Sequence, residues 1–198
     1  LYITLEMAEE RIAERIDANL LDVSTDDLHA LPKTMFDDRV ERLKSKSPGK
    51  LIIKEYPTAS AHSGHFKALL NELALKKSFK PDVLFIDYLN ICASSRFKGG
   101  NISSYFYIKA IAEELRGLAV EFKLPIFTAT QTTRSGFVST DIGLEDTSES
   151  FGLPATADFM FALMTSEELD QLNQMKVKQL KNRYSDPAIN RSFIIGVD

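Results

Sequence analysis

Tryptophan is missing from this 198-residue chain, cysteine occurs once and histidine three times. The single Cys92 excludes an internal disulfide, fits a reducing compartment and reads as a small core hydrophobe. His62 and His65 stand three residues apart without a companion Cys or acidic cluster, so they read as helix-start residues and not as metal ligands. No apolar run approaches the ~18 residues that span a bilayer, and the first residues lack the basic start of a signal peptide. The expectation is a cytoplasmic protein without a membrane partner. Positive charge is short as well: 24 Lys and Arg against 28 Asp and Glu leave a net charge of -4. Nucleic acid cannot then be gripped by bulk charge and would require a local patch or an oligomeric ring. A phosphate-cradling Gly-x-x-x-x-Gly-Lys-Ser/Thr loop is nowhere present, because Lys98-Gly-Gly100 lacks both the spacing and the strand-to-helix context. With neither an initiator Met nor tapering ends, the chain reads as a piece of a longer polypeptide that has lost the part that grips phosphates.

What is present fits one domain with a sizeable core. Strand-like and helix-like segments alternate, which predicts βαβ units and a mainly parallel sheet. Leu1 to Glu6 reads as a strand, Met7 to Leu21 as a helix with Ile12, Ile16 and Leu20 on one face, and Leu28 to Leu43 as a second amphipathic stretch. Ser45 to Lys50 is a turn and Leu51 to Ile53 a short strand. Ser63 is the expected N-cap of a helix over Phe66 to Lys77. After Pro81, the run Val83 to Ile86 ends in Asp87 and reads as a central strand buried on both faces. Ala93 to Ser103 is expected to be a mobile loop, Ser104 to Phe122 a long helix, and Ile126 to Gln131 another strand. Thr132 to Leu153 is polar, aperiodic and too long for a mere connection. Ala157 to Met164 is expected to return to the sheet, Ser166 to Asn173 to form a short capped helix, and Met175 to Asn182 with Arg191 to Val197 to form the arms of a hairpin.

A carboxylate at the carboxyl end of a buried strand sits where open α/β sheets bind ligands, and Asp87 could there hold a magnesium ion through its water shell. It equally suits capping. The next residue is Tyr88 and not Glu, so a base beside Asp87 must come from another strand; Glu6 is the candidate, although it could instead open a helix and favour its dipole. Gln131 ends a further strand with both a donor and an acceptor, suited to sensing a phosphate or simply to bonding backbone. Lys181 and Arg183 are two apart, so both heads share a face of a strand arm; such a pair can stabilise a transferring phosphate or merely guard a solvated edge. Arg134 could contact a nucleic-acid backbone or remain solvated.

In this order the segments resemble the RecA-like ATPase domain of the DnaB family of replicative hexameric helicases, and more narrowly the helicases of T-even-type bacteriophages. Tyr2-Ile-Thr-Leu-Glu6-Met7 resembles the Ser-Leu-Glu-Met segment with its catalytic glutamate, and Phe85-Ile-Asp87-Tyr88-Leu89 the Ile-Asp-Tyr-Leu Walker B strand. Thr128-Ala-Thr-Gln131-Thr-Thr-Arg134 is similar to the Ser-Gln-Leu-Asn-Arg segment. Ser148-Glu149-Ser150 through Ala157-Asp158 resembles the DNA-binding loop and its sequel, and Lys181-Asn182-Arg183 the Lys-Gln-Arg of the hairpin that reaches the neighbouring subunit's nucleotide. The resemblance implies a three-layer α/β/α core with a C-terminal β-hairpin and covers nearly all of residues 1–198 as one domain. It implies ATP and Mg2+ as substrate and cofactor, Asp87 on the metal, Glu6 as base, Gln131 as γ-phosphate sensor, and Arg183 with Lys181 as arginine finger in trans. Single-stranded DNA, touched around Arg134, Ser135 and Gly136, would thread a hexameric ring moving 5′ to 3′, with primase and a helicase loader as partners. The family's P-loop and amino-terminal collar would precede Leu1, so this piece alone is expected to be inactive. A RecA- or KaiC-type ATPase, or a non-catalytic oligomerisation or single-strand-binding module, is the alternative.

Overall fold

The computed structural model describes residues 1–97, 102–132, 142–144, 152–186 and 188–197. Four short strands, β1 (Tyr2–Thr4), β2 (Ile53–Glu55), β3 (Leu84–Asp87) and β4 (Ile126–Thr128), form a parallel sheet in the order β2-β1-β3-β4. Parallel neighbours need long crossovers, and the helices supply them. Helices α1 (Glu9–Leu21), α2 (Thr25–Ala30) and α3 (Lys33–Lys46) lie between β1 and β2, α4 (Ser63–Lys77) between β2 and β3, and α5 (Ser104–Phe122) between β3 and β4.

The alternation of side chains along a strand assigns the two faces. Ile3, Leu84 and Ile86 point into one core with Phe66, Leu70 and Leu73 of α4 and Ile111, Leu115 and Leu118 of α5. Burial of each such side chain contributes about 1.5–3 kcal/mol. Tyr2 faces the other way, on the side where Arg15 of α1 lies near enough to act on its hydroxyl. Further along that face, Phe85 is 42 % and Phe127 57 % exposed. The expectation of a β3 strand buried on both faces therefore fails for Phe85, because α4 and α5 cover only the Ile86 side.

The helix ends follow local chemistry, with two departures. Pro32 divides the expected Leu28 to Leu43 stretch into α2 and α3, as the fixed proline φ and missing N–H would require. At α4 the N-cap is His62 and not Ser63: His62 and His65 form a reciprocal capping box. Ser63 instead donates its hydroxyl to Glu114 of α5 at 2.8 Å. Ser94 and Ser95 bond the same carboxylate, which fastens the start of the loop expected to be mobile.

Beyond the parallel sheet, α6 (Gly152–Thr156) lies against α5, in a stretch expected to be loop as far as Leu153. Strands β5 (Phe159–Met164), β6 (Gln174–Asn182) and β7 (Ser192–Gly196) form a second, antiparallel sheet in the order β5-β6-β7, with α7 (Glu167–Gln171) between the first two. The hairpin of β6 and β7 matches its expectation. In contrast, β5 does not return to the parallel sheet among the described residues; it pairs with β6, with a register shift at Met160/Phe161.

Candidate active site

Three strands deliver the first three candidate residues to one edge. In the parallel register Thr4 stands opposite Asp87, and Ile86 opposite Thr128. The carboxyl ends of β1, β3 and β4 are therefore adjacent. Glu6 follows β1 by two residues and is exposed. It is not part of a helix, since α1 begins at Glu9. The chain turns there through Thr4, whose Oγ1 donates to Met7 O at 2.8 Å and accepts from Met7 N at 3.1 Å. Leu5 N then donates to Asp87 O at 2.9 Å, tying the Glu6 segment to the end of β3.

Asp87 is partly buried, and its Oδ2 accepts a hydrogen bond of 2.9 Å from the Tyr2 hydroxyl. The Asp87–Tyr88 peptide is cis. On the β4 side, Leu89 N donates to Ala129 O at 3.2 Å, Thr130 Oγ1 to Asn90 Oδ1 at 2.8 Å, and Gln131 Nε2 to the Tyr88 hydroxyl at 3.2 Å. These bonds hold Gln131 beside the turn that carries Asp87. Tyr2, Tyr88, Asn90 and Thr130 were not singled out from sequence. Only Tyr88 carried a signal, since it occupies the place where a second acid was sought.

Lys181 and Arg183 lie elsewhere, at the end of β6. Both heads do turn to one place: Lys181 Nζ donates to Pro154 O and, at 3.3 Å, to Ala155 O, while Arg183 Nη2 donates to Ala155 O at 3.1 Å. Arg183 Nη1 also meets Asp158 Oδ1 at 2.8 Å, and Arg116 shares that oxygen at 2.9 Å. Burial and then the neighbouring Arg183 charge hold the Lys181 ammonium below its usual pKa. Arg134, Ser135 and Gly136 lie outside the described residues.

Glu6 and Asp87 offer hard oxygen donors at one edge. Among the described residues no three His, Cys, Asp or Glu side chains cluster as a metal cage. A single carboxylate at a strand end fits magnesium, which keeps several waters and takes phosphate oxygens as ligands, better than a metal enclosed by protein alone. A cavity of about 600 Å3 lies between Arg96, Phe97, Phe106 and Glu113, and none of the candidate residues lines it. Acid and amide groups meet instead at the ends of β1, β3 and β4.

Comparison with known families settles the membership. The DnaB-like helicase C-terminal domain matches residues 1–189. The chain belongs to this family. As a DnaB-like domain it is 47% identical over 200 residues to a DnaB-like replicative helicase of Enterobacteria phage T4, spanning all of this chain and 42% of that protein. A probable plasmid replicative DNA helicase of Chlamydia trachomatis is 30% identical over 135 residues, covering 67% of this chain and 28% of its own length. This DnaB-like domain thus spans less than half the length of the curated relatives it matches. Its fold aligns with a solved ATPase domain at a TM-score of 0.76 and 17% identity, over 98% of this chain and 68% of that one. A DnaB-like replicative helicase, solved in a study of its interactions with primase, aligns at 0.75 and 18%, over 98% and 46%. The α/β fold is therefore RecA-like, as expected, with the antiparallel hairpin at its C-terminal side. No helix among the described residues is long and apolar enough to cross a membrane.

Proposed function

We propose that this domain is the ATP-hydrolysing core of a replicative DNA helicase, working within a longer polypeptide that supplies the phosphate-gripping loop. The observation that carries this reading is the parallel register that brings the ends of β1, β3 and β4 together, and with them Glu6, Asp87 and Gln131. Glu6 is the base: its exposed carboxylate orients the attacking water and takes its proton. Asp87 would hold magnesium, and the bound ion would supply charge neutralisation on the phosphate oxygens. Gln131 senses the γ-phosphate with its amide and, through its bond to Tyr88, links that reading to the end of β3. It also heads the segment that leads to Arg134, Ser135 and Gly136, the candidate contacts to single-stranded DNA.

Arg183 and Lys181 act on the nucleotide of the adjacent subunit in a hexameric ring, as arginine finger and its companion. In the isolated chain Arg183 is held by Asp158 and by the Ala155 carbonyl; the ion pair is substantially exposed, and Asp158 also bonds Arg116. Losing the exposed ion pair costs on the order of 0–1 kcal/mol and the carbonyl bond about 0.5–1.5 kcal/mol, which charge-assisted bonds to a phosphate offset. ATP with Mg2+, single-stranded DNA, identical subunits, primase and a loader complete the reading. The 47% identity to a phage replicative helicase favours it over a RecA- or KaiC-type ATPase in recombination or regulation.

Glu6→Gln in the full-length protein tests the assignment. DNA-stimulated ATP turnover should fall about 100- to 10,000-fold, the usual worth of a general base, while nucleotide binding by fluorescence titration persists. Turnover at the wild-type rate would sink the role of Glu6.

A further inference from the structure

The bond from the Tyr2 hydroxyl to Asp87 has no part in the chemistry above, yet the fold goes to some length to build it. Tyr2 stands opposite Phe85 in the register of β1 and β3, and Asp87 lies two residues further along on the same face. The Tyr2 ring leans along the strand and stacks on Phe85 at 6.2 Å and 23°, and Phe85 stacks on Phe127 at 5.4 Å and 25°. Three rings on three adjacent strands thus form a ladder, and a ring with only two side-chain torsions is confined by it. The hydroxyl reaches Asp87 Oδ2 at 2.9 Å. A phenol hydroxyl is a neutral donor. Such a donor fixes a carboxylate without removing its charge, which is what an outer-shell partner does for a metal ligand. Thr4, the residue opposite Asp87 itself, is engaged with Met7.

The geometry points to Tyr2 as a positioning residue: its hydroxyl engages Oδ2 and so orients the Asp87 carboxylate, leaving Oδ1 to meet the water shell of a nucleotide-bound divalent cation. This rests on Asp87 being the metal carboxylate. Tyr2→Phe removes the hydroxyl and keeps the ring ladder. In the full-length protein, Mn2+ replaces Mg2+ together with a non-hydrolysable ATP analogue, and electron paramagnetic resonance reads the retention of the protein-bound metal. Tyr2→Phe should weaken retention about tenfold, the low end of what loss of an outer-shell partner costs a metal site. A core variant remote from the edge, Leu115→Ala, lowers the melting temperature and should retain Mn2+ as the wild type does. Asp87→Asn separates the two ideas. Wild-type retention in Asp87→Asn would remove the metal assignment and Tyr2's role with it. Weak retention in Asp87→Asn with wild-type retention in Tyr2→Phe would overturn the positioning role alone. Equal weakening in Tyr2→Phe and Leu115→Ala would assign the effect to stability and likewise overturn it.

Discussion

Cys92 and Phe66 show how much a single side chain carries here. Cys92 is 2 % exposed, and burial, followed by the charge of Glu114, pushes its thiol up to about 12. Because only the thiolate attacks, and a raised pKa keeps the thiol protonated at pH 8, Cys92 should ignore a disulfide reagent in the native protein. It should react once urea unfolds the chain; native reactivity at the unfolded rate would count against this burial. Phe66 is fully buried, with its ring edge-on to Tyr56 at 5.9 Å. Phe66→Ala should cost about 3–5 kcal/mol, read as a lower urea midpoint with an unchanged slope. The hydrophobic role of Cys92 and the helix-start place of His62 and His65 were legible in the sequence. The exchange of cap from Ser63 to His62 was not, because Ser63 is drawn off by Glu114, 51 residues away in sequence.

Among the elements, α4, α5 and the segment after β3 are fastened together at one carboxylate. Glu114 accepts from Ser63 Oγ at 2.8 Å, Ser94 Oγ at 2.6 Å, and Ser95 N and Oγ at 3.0 and 2.8 Å. Partial burial works against its ionisation, but these bonds prevail and hold its pKa below the ordinary 4.5. A depressed carboxylate contributes stability that is present above the unfolded-state pKa and disappears as pH falls through the folded one. Stability should therefore drop as pH falls below about 4.5, and the drop should be shallower in Glu114→Gln. That variant should also lose about 1.5–3 kcal/mol at neutral pH, since an amide sets donors against donors. Thermal melts from pH 7 to pH 3 measure both. Periodicity made the helices and the β6–β7 hairpin legible, whereas the pairing of β5 with β6 was not, because a short apolar strand does not say which sheet it joins.

For the whole molecule, the decisive fact is adjacency across strands. Glu6, Asp87 and Gln131 were each ambiguous in the sequence; the β1-β3-β4 register, which no local pattern encodes, brings their strand ends together. Arg183 carries the corresponding prediction between subunits. Mixed with the wild-type protein in equal amount, full-length Arg183→Ala should, on the proposed action in trans, depress ATP turnover below what dilution alone produces; turnover that simply follows the wild-type fraction would argue against that action. The two margins of the parallel sheet also differ. At β2, Lys54 and Glu55 stand on the strand and Glu9 accepts from Glu55 N, so charge and a capped amide guard that rim. At β4 the rim reads Ile126-Phe127-Thr128 without a charge, beside the exposed Phe85. Purified by itself, this domain therefore presents an uncharged apolar rim at β4, in addition to the exposed Phe161, Leu163 and Ile194 of the second sheet. Its light scattering should climb with concentration, and Phe127→Lys should lower that climb by charging the β4 rim.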